Sequence, residues 1–328
     1  MSNFSFCSDV NIPYAYRSLK NLMGWSGRTQ KIETRNGMAL VLDGPLALTV
    51  MFPQERVLLD VARDANPYFH LLEALWMLAG HNDVAFPARF NSNIGRYSDD
   101  GKTFNGAYGH RWRHYFGYDQ LMETTYRLKK NPNDRQVVIS MWDPRYDSQI
   151  PSKDIPCNVM IMPRIVRGRL NMMTINRSND LIWGLMGANC VHMTILQEWM
   201  AAVIGVPVGI WYHTTNNLHV YEQHWPLLPS NHMDMHDIRA ITPPGPYPGF
   251  MPLVVNWEVF SEECRDLCGG KDDDFEEPFM NGVVAPMVQS WECRRGGDME
   301  QAIYLARCIE APDWRRACVE WLNRRVDK

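Results

Sequence analysis

The sequence contains no long basic run; lysines and arginines are scattered, and none of their clusters exceeds a pair such as Arg324-Arg325. With a net charge of −4 and a pI of about 6.2, bulk attraction to nucleic acid is excluded, although a small anion needs only a few local arginines. No apolar run approaches the length of a membrane span, and Met1 to Asp9 is too short and polar for a signal peptide. Neither a nucleic acid nor a membrane is therefore expected as a partner. Eight cysteines in 328 residues do not make a disulfide scaffold, so the chain reads as reduced and cytoplasmic. Cys264 and Cys268 form a close pair with no matching second pair, and no metal is expected from it. There is no internal repeat. What is present is 45% hydrophobic content, enough for one large core or a domain with an appendage.

Along the chain, Tyr14 to Met23 reads as a helix, Glu33 to Gly37 as a turn, and Met38 to Met51 as strand material. Asn66-Pro67 opens a second helix that Gly80 closes. Phe69, Leu71, Leu72, Leu75, Trp76 and Leu78 make it apolar on nearly all sides, so it belongs in the interior with Glu73 at its middle. A buried carboxylate is paired, protonated or working. The stretch from Gly106 through Tyr108, Gly109, His110, Arg111, Trp112 and Arg113 has the texture of a pocket-lining loop. A helix follows to about Lys130, and Arg135 begins a strand through Val137 to Trp142. Gly184 to Asn189 leads flexibly into a helix with Val191, Ile195, Trp199 and Val203 on one stripe, ending near Gly205. His192 on that helix reads as a satisfied core or interface histidine before it reads as a site residue. Val208 to His213 is a strand, and alternation puts His219 and Tyr221 on one face. Pro243-Pro244-Gly245-Pro246 marks a rigid irregular stretch, and helical pattern returns from Asp298 to Arg324.

The centre of the chain is Pro156-Cys157. Two apolar runs, Val159 to Ile165 and Leu170 to Ile175, flank Arg167-Gly168 and make a β-hairpin. Cys157 enters one strand and Arg177 leaves the other at the same end. A guanidinium beside a thiol favours the thiolate. Cys157 is thus either a nucleophile or one of several cysteines filling space. Arg35 is either a solvated loop charge or one finger of an anion site.

Together these segments resemble the thymidylate synthase family from about Arg35 to Tyr221. Pro156-Cys157 matches the family's nucleophile dipeptide, Arg177-Ser178-Asn179-Asp180 its Arg-Ser-x-Asp signature, Glu73 its buried glutamate, Tyr108 its pocket tyrosine, and His219-x-Tyr221 its sugar-binding pair. The resemblance implies an α/β (α+β) fold with a large mixed sheet flanked by helices. Residues 1–230 would form the catalytic domain and 231–328 an irregular and helical C-terminal extension packed on it. It further implies a pyrimidine nucleoside monophosphate substrate, 5,10-methylenetetrahydrofolate as cosubstrate, and a homodimer with shared sites. Arg35, Arg177, Ser178 and, from the partner chain, Arg135 would hold the phosphate. Asp180 would lie on the folate side. The thiolate of Cys157 would add to C6 of the ring, and Glu73 with Tyr108 would handle protons.

Several departures point away from reductive methylation. Asn158 follows the cysteine where the family has histidine, and Arg135-Gln136 replaces paired arginines. The segment up to Asn189 is one residue longer, leaving Ala188 or Asn189 as the base-reading position. The aromatic expected near Ile94 is absent, although Tyr97 can replace a second one. The chain ends in Arg324-Arg325-Val326-Asp327-Lys328, not in the synthase's apolar tail. A wetter pocket lets water add to the one-carbon unit. The Gly-Ala-Asn, Ser-Asn-Asp and Asn-Asn-Leu-His variants are similar to those of the pyrimidine-nucleotide hydroxymethylases of phages and nucleoside-antibiotic pathways. Hydroxymethylation is the expected activity, thymidylate synthesis the alternative. Retention of Cys157, Glu73 and Tyr108 argues against a catalytically silent scaffold, and no His-Asn dyad supports a cysteine hydrolase.

Overall fold

The computed structural model describes residues 4–229 and 247–326; the Pro243 to Pro246 stretch lies outside them. Among the described residues ten strands form two sheets. The larger holds six, in the order β1 (Ser5–Asp9), β4 (Leu46–Val50), β9 (Val208–Thr215), β7 (Arg169–Asn176), β6 (Asn158–Val166) and β5 (Ile139–Ser140). It is mixed: β1 pairs parallel to β4 and β7 parallel to β9, while the other pairs are antiparallel. The smaller sheet runs β2 (Thr29–Thr34), β3 (Gly37–Leu42), β10 (Leu218–Tyr221) and β8 (Asn179–Asp180).

Alternation along the strands separates the faces of the large sheet. Ile161, Thr174, His213 and Leu48 align across four strands and are buried. Behind this face lie α2 (Pro67–Leu78) and α6 (Cys190–Ile204). The opposite face carries Met162, Met173, Tyr212 and Thr49 in register, all half-buried, and further along Met160, Ile175, Thr214, Ala47 and the exposed Phe6. Among the described residues this second face is left partly open.

The expected β6–β7 hairpin is present, with Arg167 and Gly168 both at positive φ (50° and 72°) in its turn, the conformation that matches strand twist. α2 begins at the Asn66 cap, whose side chain accepts from Phe69 N, with Pro67 in the first turn. α6 is buried on almost every side instead of along one stripe, and ends at left-handed Gly205. The strand expected from Arg135 shrinks to Ile139–Ser140. Gln120 exchanges two 2.9 Å hydrogen bonds with the Ser140 backbone, while Met141 N and Trp142 N both turn to the Val159 carbonyl, so the ladder stops there.

Among the described residues four helices follow in the C-terminal part, α7 (Trp257–Cys268), α8 (Ala285–Arg295), α9 (Met299–Arg307) and α10 (Pro312–Asn323); α7, α8 and α10 pack on α2, and α9 packs on α8 and α10. Tyr68 is the contact point. Its ring meets Trp291 and Trp321 at 5.3 and 5.6 Å, and its hydroxyl lies 2.8 Å from Ser290 Oγ. The long helical pattern after Asp298 is interrupted before Pro312, which opens α10.

Candidate active site

The start of β6 and the end of β7 bring the first two site residues together. Arg177 N donates to the Cys157 carbonyl at 2.9 Å, closing the hairpin. The Arg177 guanidinium then turns back: Nε donates to Pro156 O (3.0 Å), and Nη2 to Ile155 O (2.9 Å) and to Cys157 Sγ (3.7 Å). Arg35, in the β2–β3 turn, donates to Lys153 O at 3.4 Å and adds positive potential at the thiol. The expectation of a depressed thiol pKa is corrected here. Burial is the larger effect and pushes Cys157 up; Arg177 and Arg35 oppose it, and Asp154 reinforces it.

Tyr108 stands behind Cys157. The backbone N–H groups of Asn158 and Cys157 face its hydroxyl, and burial raises its pKa well above the phenol range. Its position depends on the next residue: a Cβ on Gly109 would lie 2.0 Å from Met77 O, so only glycine lets this turn close against α2. The rest of the Tyr108 to Arg113 segment does not line the pocket as expected. Arg111, Trp112 and Arg113 are buried in the wall. Arg111 donates to both oxygens of Asp147 (2.6 and 2.8 Å), and Arg113 to Leu78 O and Asp119. A stretch rich in charge looks like a pocket in sequence, but these charges meet partners inside the protein.

Glu73, at mid-α2, has 12% of its side chain exposed and an oxygen 3.0 Å from His192 Nε2 on α6. A second carboxylate lies nearby. Asp154 accepts the Gly106 N–H at 2.7 Å, and its pKa is raised by burial, with Asp99 and Glu73 contributing. Sequence reasoning missed Asp154; an acid three residues before the nucleophile was its only signal.

After β7, Ser178 Oγ lies 3.5 Å from Asn217 Oδ1, which also meets His219 Nδ1 at 2.9 Å. His219 and Tyr221 share a face, ring centroids 5.0 Å apart, and Tyr221 Oη accepts from Asn36 at 3.2 Å. Burial lowers the His219 pKa, so this row is neutral and polar, suited to a sugar. Leu181–Asn189 adopts wide π-type turns with a kink at Gly187, a geometry that absorbs an extra residue. Asn189 donates to Asn179 Oδ1 at 3.2 Å, and Ala188 is half-buried.

Asp180 is half-buried, and its carboxyl is pushed up to about 6 by desolvation, against the N–H groups of Ile182 and Trp183 and the charge of Arg63. Trp183 follows it with an exposed ring, 5.2 Å from the Arg63 guanidinium and donating to His224 at 2.8 Å. Trp183 is another residue the sequence reading missed. Ile94 is half-buried against the core, and exposed Tyr97 accepts from Arg96 at 2.7 Å; neither has a bond to the Cys157 group. Arg135 is exposed and, among the described residues, forms no hydrogen bond or ion pair.

A fold with a mixed sheet, a cysteine at a hairpin mouth, an arginine on its sulfur and a glutamate on a buried helix defines a nucleotide-modifying enzyme class. The thymidylate synthase family profile matches residues 59–236. Over 305 residues the chain is 39% identical to the deoxyuridylate hydroxymethyltransferase of Pseudomonas phage M6, covering 89% of this chain and 87% of that one. It is 38% identical over 188 residues to the enzyme of the same name from Bacillus phage SP01 (54% and 49% covered). The counterpart from Delftia phage PhiW-14 is 27% identical over 234 residues (68% and 64% covered). The chain belongs to the thymidylate synthase family.

Proposed function

We propose that this protein transfers a hydroxymethyl group to C5 of deoxyuridylate. What carries this is the contact of Cys157 Sγ with Arg177 Nη2 at 3.7 Å, in a chain so similar over 89% of its length to a deoxyuridylate hydroxymethyltransferase.

Enzymes of this family use methylenetetrahydrofolate as cosubstrate, which supplies the one-carbon unit. The phosphate of the nucleotide fits Arg35, Arg177 and Ser178, where the two arginines keep guanidinium donors turned to solvent. His219 and Tyr221 suit the sugar. Phosphate and thiolate share the same cluster, whose arginines offset part of what burial costs the ionised Cys157. The thiolate adds to C6 and makes C5 a carbon nucleophile. Glu73, and Tyr108 held against the Cys157 backbone, move the protons. Asp180, Trp183 and Tyr97 are the groups we assign to the folate side, with Ile94 where an aromatic would otherwise stack; Ala188 or Asn189 would meet the base.

The half-open apolar face of the large sheet supports a homodimer, and Arg135, exposed and unpaired before the edge strand β5, suits a site shared across it. The 231–328 segment is assigned as an extension of the same catalytic unit. Among the described residues no helix is long and apolar enough to cross a membrane, and the phage relatives support a place in the host cytoplasm.

The test is product identity. Deoxyuridylate and methylenetetrahydrofolate should yield the 5-hydroxymethyl nucleotide and tetrahydrofolate. A methylated product with stoichiometric dihydrofolate would overturn this in favour of thymidylate synthesis.

A further inference from the structure

Buried polar groups around the site divide into a closed set and an open one. Asn189, Asn179, His213 and Thr174 form a chain of contacts at 3.2, 3.4 and 2.8 Å, so the asparagine nearest the helix entrance already has a partner. Asn158, Asn176 and His192 do not close in this way. Asn158 and Asn176 oppose each other across β6 and β7, are 1% and 2% exposed, and each has an Oδ1 with no hydrogen-bond partner. The Asn158 amide reaches only Met193 Sδ, at 3.8 Å. His192, the residue before Met193, is 3% exposed; its Nε2 is close to Glu73 but out of line, and neither ring nitrogen has a hydrogen-bond partner.

An unsatisfied buried polar atom costs roughly 1–3 kcal/mol, and such groups in a native fold call for a specific explanation. A water joining two to four polar partners is the usual one. These three residues are next to the nucleophile, at the far end of β7, and against Glu73.

We propose that His192, with Asn158 and Asn176, positions the water that becomes the hydroxyl group of the product. This rests on the hydroxymethyl reading. Once the one-carbon unit is on C5 as an exocyclic methylene, the water oxygen forms the new C–O bond. The π pair of the methylene moves into the ring as C5=C6, the C6–S bond breaks, and its pair returns to Cys157 as thiolate. The proton lost by the water goes to the Glu73 carboxylate. Nothing is oxidised or reduced, and no further reactant is required. His192 acts here as a positioning residue.

An added thiol competes with water for the same methylene. Wild type, His192→Ala, His192→Gln and Asn176→Val are compared with C5-tritiated deoxyuridylate, methylenetetrahydrofolate and 2-mercaptoethanol. The thioether and hydroxymethyl nucleotides are quantified by mass against tritium released. The thioether-to-hydroxymethyl ratio should rise about tenfold or more in His192→Ala, less in His192→Gln, and in the same direction in Asn176→Val. Because the ratio is read only from turnovers that release tritium, loss of folded protein in one variant leaves the others to decide. An unchanged ratio in the variants that release tritium overturns the role of His192. A methylated wild-type product overturns the hydroxymethyl reading instead, so the two failures are distinguishable.

Discussion

Arg111 and Arg177 are both arginines beside the same pocket, and they could hardly be used more differently. Arg111 is fully buried, and its guanidinium is saturated: Nη1 reaches Met141 O and Asp147, Nη2 reaches Asn105 O and Asp147, and Nε reaches Asn105 O. Arg177 is exposed, spends three contacts on Ile155, Pro156 and the Cys157 sulfur, and keeps the remainder of its fork open. A guanidinium has five N–H donors. One arginine has no donor left for a ligand; the other is anchored well enough to be fixed and still has donors to offer. The same contrast separates the closed Asn189–Asn179–His213 chain from the open His192 set. In both contrasts a group whose donors are used inside the fold stands against one with polar atoms to spare; Arg113, in the wall with a buried and unpartnered Nη2, shows that the division is not general.

The strongest way to break this contrast is at the sulfur. Cys157→Ser should lose turnover by a thousandfold or more, about 4 kcal/mol of barrier, while nucleotide binding measured by calorimetry stays near wild type because the open arginines carry it. Near-normal turnover would sink the covalent mechanism.

Next comes a pair of substitutions with opposite signatures. Asp147→Ala strands the buried Arg111 charge and should destabilise the fold by about 3–5 kcal/mol, seen in denaturant midpoints. Glu73→Gln should leave that midpoint within about 1 kcal/mol but slow turnover by roughly 10²–10⁴-fold. Equal stability losses in the two variants would erase the distinction between wall and site.

Arg135 tests whether an unpaired arginine serves its own chain or a neighbour. Arg135→Ala and Cys157→Ala chains should each be inactive, and subunit exchange should recover up to about a quarter of wild-type activity, since a two-fold interface exchanges the same contact in both directions. No recovery after exchange verified by mass would remove the shared site.

The smallest effect concerns a buried acid that the fold keeps protonated to higher pH than the unfolded chain does. Asp313 accepts from Tyr247 Oη and Trp314 N, both at 2.8 Å, yet burial pushes it up to about 6. The folded chain therefore holds a proton that the unfolded chain releases at lower pH, and stability falls as pH rises from about 4 through 6. Asp313→Asn escapes this. Its stability relative to wild type should improve by on the order of 1 kcal/mol between pH 5 and pH 7. A difference independent of pH would refute the assignment.

Much of this was legible in the sequence because the relevant signals are local. The hairpin follows from two apolar runs about Arg167-Gly168, the α2 start from Asn66-Pro67, and the juxtaposition of Cys157 and Arg177 from the hairpin itself. A carboxylate inside an apolar helix singled out Glu73, while Tyr108 and His219 came from the family resemblance. What stayed hidden depends on partners distant in sequence. Arg111 reads like any pocket arginine until Asp147 closes on it. Asp154 becomes part of the site only because Gly106 and Glu73 lie beside it. His192, read as satisfied, has no aligned partner, and no spacing rule could have shown that. The thiol pKa went the same way: a guanidinium is visible in sequence, but the burial that outweighs it is a property of the whole fold.

The β6–β7 hairpin also sets a timetable. Its closing bond, Arg177 N to Cys157 O, is a short-range contact of the kind that forms in roughly microseconds. Glu73 must wait for α2 to dock against α6, and contacts so far apart in sequence are slow to gather. The half of the site proposed to make the carbon–sulfur bond is thus written into one stretch of chain. The half proposed to move protons exists only once the core has assembled. During synthesis, a cysteine already beside its arginine precedes any means of completing the reaction.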